Sequence, residues 1–188
     1  MANRRRQITS VALIVVVISI LFVWEKISNG SDATIYTEPV LLEENQVQVY
    51  FSPHGGCQDA IVSIIDEAES TIDCAIYTFT SRDIAQALVR AHQRGVEIRI
   101  IADRTQAADG YSKKRYLVNK EISLRVHTGE GIMHNKFMIV DSTIVLTGSY
   151  NWTASANHRN YENILIINSP ALAMNYEKEF GILWKKFE

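Results

Sequence analysis

Within the eighteen residues His134–Asn151 (HNKFMIVDSTIVLTGSYN), four side chains have the types needed to handle an oxyanion. They are the His134 imidazole, the Lys136 ammonium, the Ser149 hydroxyl and the Asn151 amide. His134 and Lys136 are two apart, which puts both on one face of a β-strand. Phe137, Met138, Ile139 and Val140 follow without a polar break, predicting a strand covered on both sides. Asp141-Ser142 reads as a tight turn and Thr143–Thr147 as the returning strand, so that Gly148-Ser149 brings Asn151 back toward the His-x-Lys pair. A cation, an imidazole and two donors at the mouth of a sheet suit a phosphoryl group. Lys136, Ser149 and Asn151 would hold its non-bridging oxygens. A histidine can itself attack phosphorus, splitting one displacement into two through a phosphohistidine.

The elements that must position these residues are legible upstream. Val47 to Phe51 predicts a first strand, followed by the loop Ser52-Pro53-His54-Gly55-Gly56. From Cys57 to Ser70, Ile61, Ile64, Ile65 and Ala68 keep helical spacing. Thr71 to Phe79 is strand-like. Thr80 with Asp83 resembles a capping box for a helix carrying Ile84, Ala87, Leu88 and Ala91, which Gly95 ends. Val96 to Ala102 predicts another strand, and the β-α-β-α-β order predicts a parallel core with right-handed crossovers. A short basic helix is expected over Tyr111–Asn119, and strands over Ile122–Val126 and about Tyr161–Ile167. Ser169-Pro170 then opens a last helix with Leu172, Tyr176, Phe180, Leu183 and Phe187 on one stripe.

The 47% hydrophobic fraction of the 188 residues fits a globular α/β protein and excludes a disordered one. A net charge of −2 supplies no global basic field for nucleic acid. The distribution is less even: ten Lys/Arg lie between Arg82 and Arg125 against five acids, either as solvated helix faces or as a phosphate-tracking surface. Cys57 and Cys74 make no disulfide framework and are expected as packing residues. His54 and Cys57 would form only half a zinc site.

Arg4-Arg5-Arg6 precede an apolar run from about Ile8 to Trp24, at the lower limit for a membrane span. Residues 1–27 are therefore expected to be a signal-anchor, with a cleaved signal peptide as the alternative; Ser31-Asp32-Ala33 is a poor cleavage site. The arginines stay inside and the rest is exported, facing a periplasm or the cell exterior. Residues 28–44 read as a linker and 45–188 as the working domain.

The string His134-x-Lys136, Asp141, Gly148-Ser149-x-Asn151 resembles the HKD signature of the phospholipase D superfamily. Phe51-Ser52-Pro53, Ala75-Ile76-Tyr77-Thr78-Phe79-Thr80 and Arg94-Gly95-Val96 also resemble its single-motif members, in which a further acidic residue stands where Glu162 does. The resemblance runs from about Val47 to the C-terminus. It implies a mixed, largely parallel β-sheet flanked by helices on both faces, preceded here by the N-terminal hydrophobic helix. It also implies catalysis by His134, Lys136, Asp141, Ser149, Asn151 and Glu162 with no metal and no cofactor. Glu162 would accept a hydrogen bond from the second His134 nitrogen. Asp141 keeps an alternative as a turn-forming or interface residue, and Ser149 one as a backbone cap.

One histidine cannot readily be both nucleophile and leaving-group acid in one step, and no other histidine of this chain has a lysine two residues on. The resemblance implies a homodimer whose two His134 share a site. The expected function is a non-specific endonuclease on DNA or RNA, held at a membrane. Hydrolysis of a phospholipid head group is the alternative, and a non-catalytic nucleic-acid-binding module the third reading.

Overall fold

The computed structural model describes residue 42 and residues 46–188. The expected signal-anchor and all of the linker but residue 42 lie outside the described residues. Among those described, no helix is long and apolar enough to cross a membrane.

Seven strands form one sheet: β1 (Val47–Ser52), β2 (Thr71–Ile76), β3 (Glu97–Ala102), β4 (Ser123–Val126), β5 (Lys136–Val140), β6 (Ile144–Gly148) and β7 (Glu162–Asn168). Their order across the sheet is β1-β7-β6-β5-β2-β3-β4. The helices are α1 (Cys57–Glu67), α2 (Arg82–Gln93), α3 (Arg104–Ala107), α4 (Lys114–Val118), α5 (Ala154–His158) and α6 (Pro170–Lys186). The mixed α/β architecture is as expected. β2, β3 and β4 pair in parallel, while the other neighbours are antiparallel because β5 and β7 run against the remaining five strands. The adjacency of β1 and β2 that a simple β-α-β reading implies does not occur. β1 sits at the sheet edge, with Val47, Val49 and Phe51 exposed, whereas Ile72–Ile76 is buried on both sides and takes a central place.

Period-two alternation divides the core between the two faces. Ile72, Cys74, Ile76, Ile98, Ile100, Met138 and Leu146 pack with Ile61, Ile65, Ile84 and Leu88 of α1 and α2. Ala75, Ile101, Phe137, Ile139 and Val145 face the other way, onto Ala173, Phe180 and Phe187. The predicted stripe of α6 therefore meets the sheet. Beside it, Asp73 pairs with Arg99 at 2.5 Å, and the Arg99 and Arg125 guanidinium groups lie 5.2 Å from the Phe180 ring centroid and 4.1 Å from that of Trp184. Such stacking covers charge and aromatic surface together. Cys57 and Cys74 are free and fully buried, and burial pushes both thiols up. They behave as packing residues.

Three local expectations change. The N-cap of α2 is Ser81, not Thr80: Ser81 Oγ accepts from Ile84 N, while Thr80 N and Ser81 N both donate to Trp152 O. The helix expected over 111–119 contracts to Lys114–Val118, and α3 and α5 are too short for periodicity to reveal.

The β5–β6 hairpin closes through Thr143 N to Val140 O, with Asp141 and Ser142 at φ 51° and 55°. Those are the conformations of a type I′ turn, whose twist matches the strands it joins. Asp141 is held there by more than the turn. Its carboxylate accepts from Glu69 N (3.0 Å), Ser70 N (2.7 Å), Ser70 Oγ (2.7 Å) and Thr71 N (3.0 Å), tying the hairpin to the α1–β2 loop. Burial works against its charge, but these donors outweigh it and hold the carboxyl below its usual range. Asp141→Ala should therefore lose about 2 kcal/mol in urea unfolding, from lost charged hydrogen bonds at a partly hydrated site and from alanine at positive φ. The folded-state pKa is depressed, so the aspartate contribution is complete above the ordinary value of 3.8 and disappears as pH falls from there through the folded value. The mutational loss should shrink over that window in acid-unfolding curves; a loss constant with pH would refute the assignment.

Candidate active site

The site forms where β1, β2 and β6 end and β5 and β7 begin. Register places Lys136 opposite Ile76, Phe137 opposite Thr147, Gly148 opposite Ile164, and Ser52 opposite Glu162. One end of five neighbouring strands thus carries Lys136, Ser149 and Glu162, with Tyr77 and His134 in the adjoining loops. Antiparallel insertion of β5 beside β2 makes this possible, since the loop entering β5 meets the loop leaving β2.

Lys136 is 9% exposed, and desolvation lowers its pKa while Glu162 opposes the fall. Nζ donates to His134 O at 2.7 Å and lies 5.0 Å from the Tyr77 ring centroid. An ammonium has three N–H bonds, so two remain for a ligand. The exposed His134 ring rests on the same Tyr77, centroid to centroid 4.8 Å. His134 lies in the loop before β5 and not on the strand that the two-residue spacing predicts, yet both side chains meet Tyr77.

Asn151 is pinned between the buried Tyr150 and Trp152. Tyr150 Oη donates to Asn157, and Trp152 stacks edge-on against Phe79 at 4.9 Å. Trp152 N donates to Thr78 O, and Trp152 O accepts from Thr80 and Ser81. In that frame Asn151 Oδ1 accepts from Thr78 N at 3.3 Å, which fixes the amide orientation and leaves Nδ2 free to donate. Ser149 is similar: Oγ accepts from Asn163 N at 3.2 Å and its proton is left over. Gly148 is required for this approach, because a Cβ there would lie 2.2 Å from Asn163 O. Among the described residues, two ammonium protons, an amide and a hydroxyl therefore remain unspent at one solvent-accessible sheet end. That donor set suits an anionic tetrahedral group.

Two expected members stand differently. Asp141 lies beyond the far end of β5, whose five residues span about 17 Å, so its interactions belong to the turn and not to this cluster. Glu162 is at the site end but accepts from Asn160 Nδ2 at 3.1 Å; among the described residues no hydrogen bond joins it to His134. Its action on the cluster runs through Lys136, whose charge it favours. Of the remaining histidines, His127 packs edge-on against Phe187 at 5.0 Å, as befits a strand-end residue.

Asp103 was missed by sequence reasoning. It is 1% exposed; Oδ1 caps Thr105 N and Gln106 N, while Oδ2 accepts from Met133 N at 3.1 Å. It thereby fastens the residue before His134 to the end of β3. Its visible signal is an aspartate at a strand end followed by a helix start, but the bond to Met133 spans 30 positions and has no local signature.

The fold and these donors define a phosphodiester hydrolase, and comparison with known proteins gives its kinship. Residues 61–184 match the family described as "Cardiolipin synthase, PLD-like domain". A phospholipase D of Rickettsia conorii is 38% identical over 135 residues, covering 72% of this chain and 68% of the relative. The mitochondrial cardiolipin hydrolase of Xenopus tropicalis is 32% identical over 151 residues, covering 80% and 72%. Among solved structures, the phospholipase D family member Nuc of Salmonella typhimurium superposes with TM-score 0.72 at 36% identity, covering 76% of this chain and 95% of Nuc. NucT from Helicobacter pylori gives 0.71 at 26%, covering 74% and 95%. The chain belongs to the phospholipase D superfamily.

Two outcomes test the geometry. Asp103→Asn keeps the size but loses an oxygen acceptor, so His134 should drift; turnover of a small phosphodiester should fall about 10- to 100-fold, with KM little changed. A matching fall in thermal stability without a change in kcat would refute a positioning role. Glu162→Gln removes the field that raises the Lys136 pKa, so the alkaline limb of the pH–rate profile should move to lower pH. An unmoved limb would show that Lys136 ionisation does not govern activity.

Proposed function

We propose that the chain is a nuclease that cleaves phosphodiester bonds in DNA or RNA, without a metal, through a covalent phosphohistidine on His134. The observation that carries this reading is the coincidence of unspent donors with free cations. Arg90, Arg94, Arg99 and Arg125 are in ion pairs, whereas Arg82, Arg104, Lys113, Lys114, Arg115 and Lys120 have none among the described residues. The basic segment thus keeps charge for an anionic polymer. A ring nitrogen of His134 attacks phosphorus as the P–O bond to the leaving group breaks. The symmetry-related His134 of a homodimer gives that oxygen its proton. It then takes a proton from water as water breaks the P–N bond. Lys136, Ser149 and Asn151 hold the non-bridging oxygens throughout. The Arg4–Arg6 and Ile8–Trp24 pattern supports an exported, membrane-held location.

A second reading, hydrolysis of a phospholipid head group, has its own support. Phe51, Ile132 and Tyr161, at or beside the site end, are 61%, 56% and 92% exposed and offer apolar surface there. The relatives described as phospholipase D and cardiolipin hydrolase add to it. A dimer interface would also cover such residues.

The purified chain should cut single-stranded DNA in excess chelator and leave cardiolipin vesicles intact; the reverse preference would establish the lipid reading. His134→Asn should abolish turnover while retaining nucleic-acid binding. Mixed one to one with wild type under subunit exchange, it should reduce activity to about a quarter if both histidines serve one site, and to about half if each protomer works alone.

A further inference from the structure

A second concavity, outside the donor cluster, lies where the start of α2 faces the segment before α4. It encloses about 410 Å³ and is lined by Arg82, Gln86, Tyr111, Ser112, Lys113 and Tyr116, among others. Tyr111 is 81% exposed and Tyr116 38%. A second hollow of about 480 Å³ shares Gly110 and Ser112 with it and carries Lys114 and Arg115. The 110–112 segment is therefore a ridge between two basic hollows, with Tyr111 standing on it.

Among the described residues, the nearby acids Asp83 and Asp109 keep their charge but form no ion pair with these cations. Asp83 accepts from Gln58 Nε2 at 2.8 Å, and Asp109 Oδ1 accepts from Tyr111 N at 2.8 Å. Arg82 and Lys113 form no ion pair among the described residues. The hollow is also wired to the catalytic end. Lys113 N donates to Phe79 O at 3.0 Å, and Ser81, the N-cap of α2, donates to Trp152 O. Arg82 is five steps along the chain from Tyr77, which touches His134, so the Cα atoms of Arg82 and Tyr77 lie within about 18 Å.

We propose that this hollow is an exosite for the nucleic-acid strand beyond the scissile bond, Arg82 and Lys113 taking phosphate and Tyr111 stacking on a base. The inference rests on the nuclease reading and extends it to where the substrate runs. Cations within a concavity and an aromatic face on its rim are the parts a single strand needs. Its volume lies in the range of about 300–1,000 Å³ in which small ligand groups are held. Insertion into a lipid surface calls instead for an apolar face beside the charge.

The test uses the full chain. In a His134→Asn background, which removes turnover, binding of a fluorescein-labelled single-stranded 20-mer is measured by anisotropy across a salt series. Arg82→Ala with Lys113→Ala should weaken binding at least about 10-fold and lower the salt slope by about 1.4. Tyr111→Ala should weaken it about 5-fold or more. With His134 intact, the same substitutions should leave hydrolysis of bis(p-nitrophenyl) phosphate unchanged, showing fold and catalytic cluster to be whole. Unaltered affinity and slope would overturn the exosite, as would a parallel loss on the small diester. So would weakened binding to phosphatidylglycerol vesicles with oligonucleotide binding intact, which would assign the hollow to lipid. If the parent cuts DNA and the variants bind like it, the exosite fails and the nuclease reading stands. If the parent cuts neither DNA nor RNA but the substitutions weaken oligonucleotide binding, the hollow binds nucleic acid, yet the nuclease reading fails and the exosite role falls with it.

Discussion

Lys136 begins a strand that is buried along its whole length, and desolvation there works against its charge. An ammonium in that position is tolerated only with partners. Among the described residues its partners are a carbonyl two residues upstream, the face of Tyr77 and the field of Glu162. The two other N–H bonds of the ammonium are able to meet an anion. Much of the catalytic end serves this arrangement: β5 inserted beside β2, Tyr77 at the β2 exit, and Glu162 at the start of β7.

Rigid support around that cation comes from backbone hydrogen bonds that the surrounding core makes durable. Trp152 exchanges bonds with the 78–81 segment while its indole is buried against Phe79, and Asn151 inherits its orientation from Thr78. Asp103 performs a similar task for the loop that ends in His134. Each functional group is thus held by an element distant in sequence. A local substitution in any of these supports would be felt at phosphorus by misplacement rather than by lost contact.

Asp141 shows the opposite case, a residue with a place in a catalytic signature whose interactions are structural. Its four accepted hydrogen bonds hold the β5–β6 hairpin to the start of β2, at the end of the sheet remote from the histidine. The hairpin register it protects is what keeps Lys136 on its side of the sheet, since a one-residue slip would reverse every side chain of β5. Its link to the chemistry is therefore indirect.

Much of this was legible in the residues. The alternation and apolar runs marked each of the seven strands, the stripe of α6 was read correctly, and the spacing from His134 to Asn151 identified the phosphoryl chemistry and the family. These are local patterns, set by the period of the backbone and by side-chain type. Strand order was not legible: β1 lies four places from β2 because partners are chosen by burial of whole faces, which no window of sequence reports. Nor were the Asp103–Met133 bond, the separation of Asp141 from the cluster, or the partner of Glu162. Each of these depends on which sheet end a residue occupies. The sequence by itself determined which groups could do chemistry; only the tertiary structure decided which of them meet, because meeting requires long-range strand pairing that local propensity does not encode.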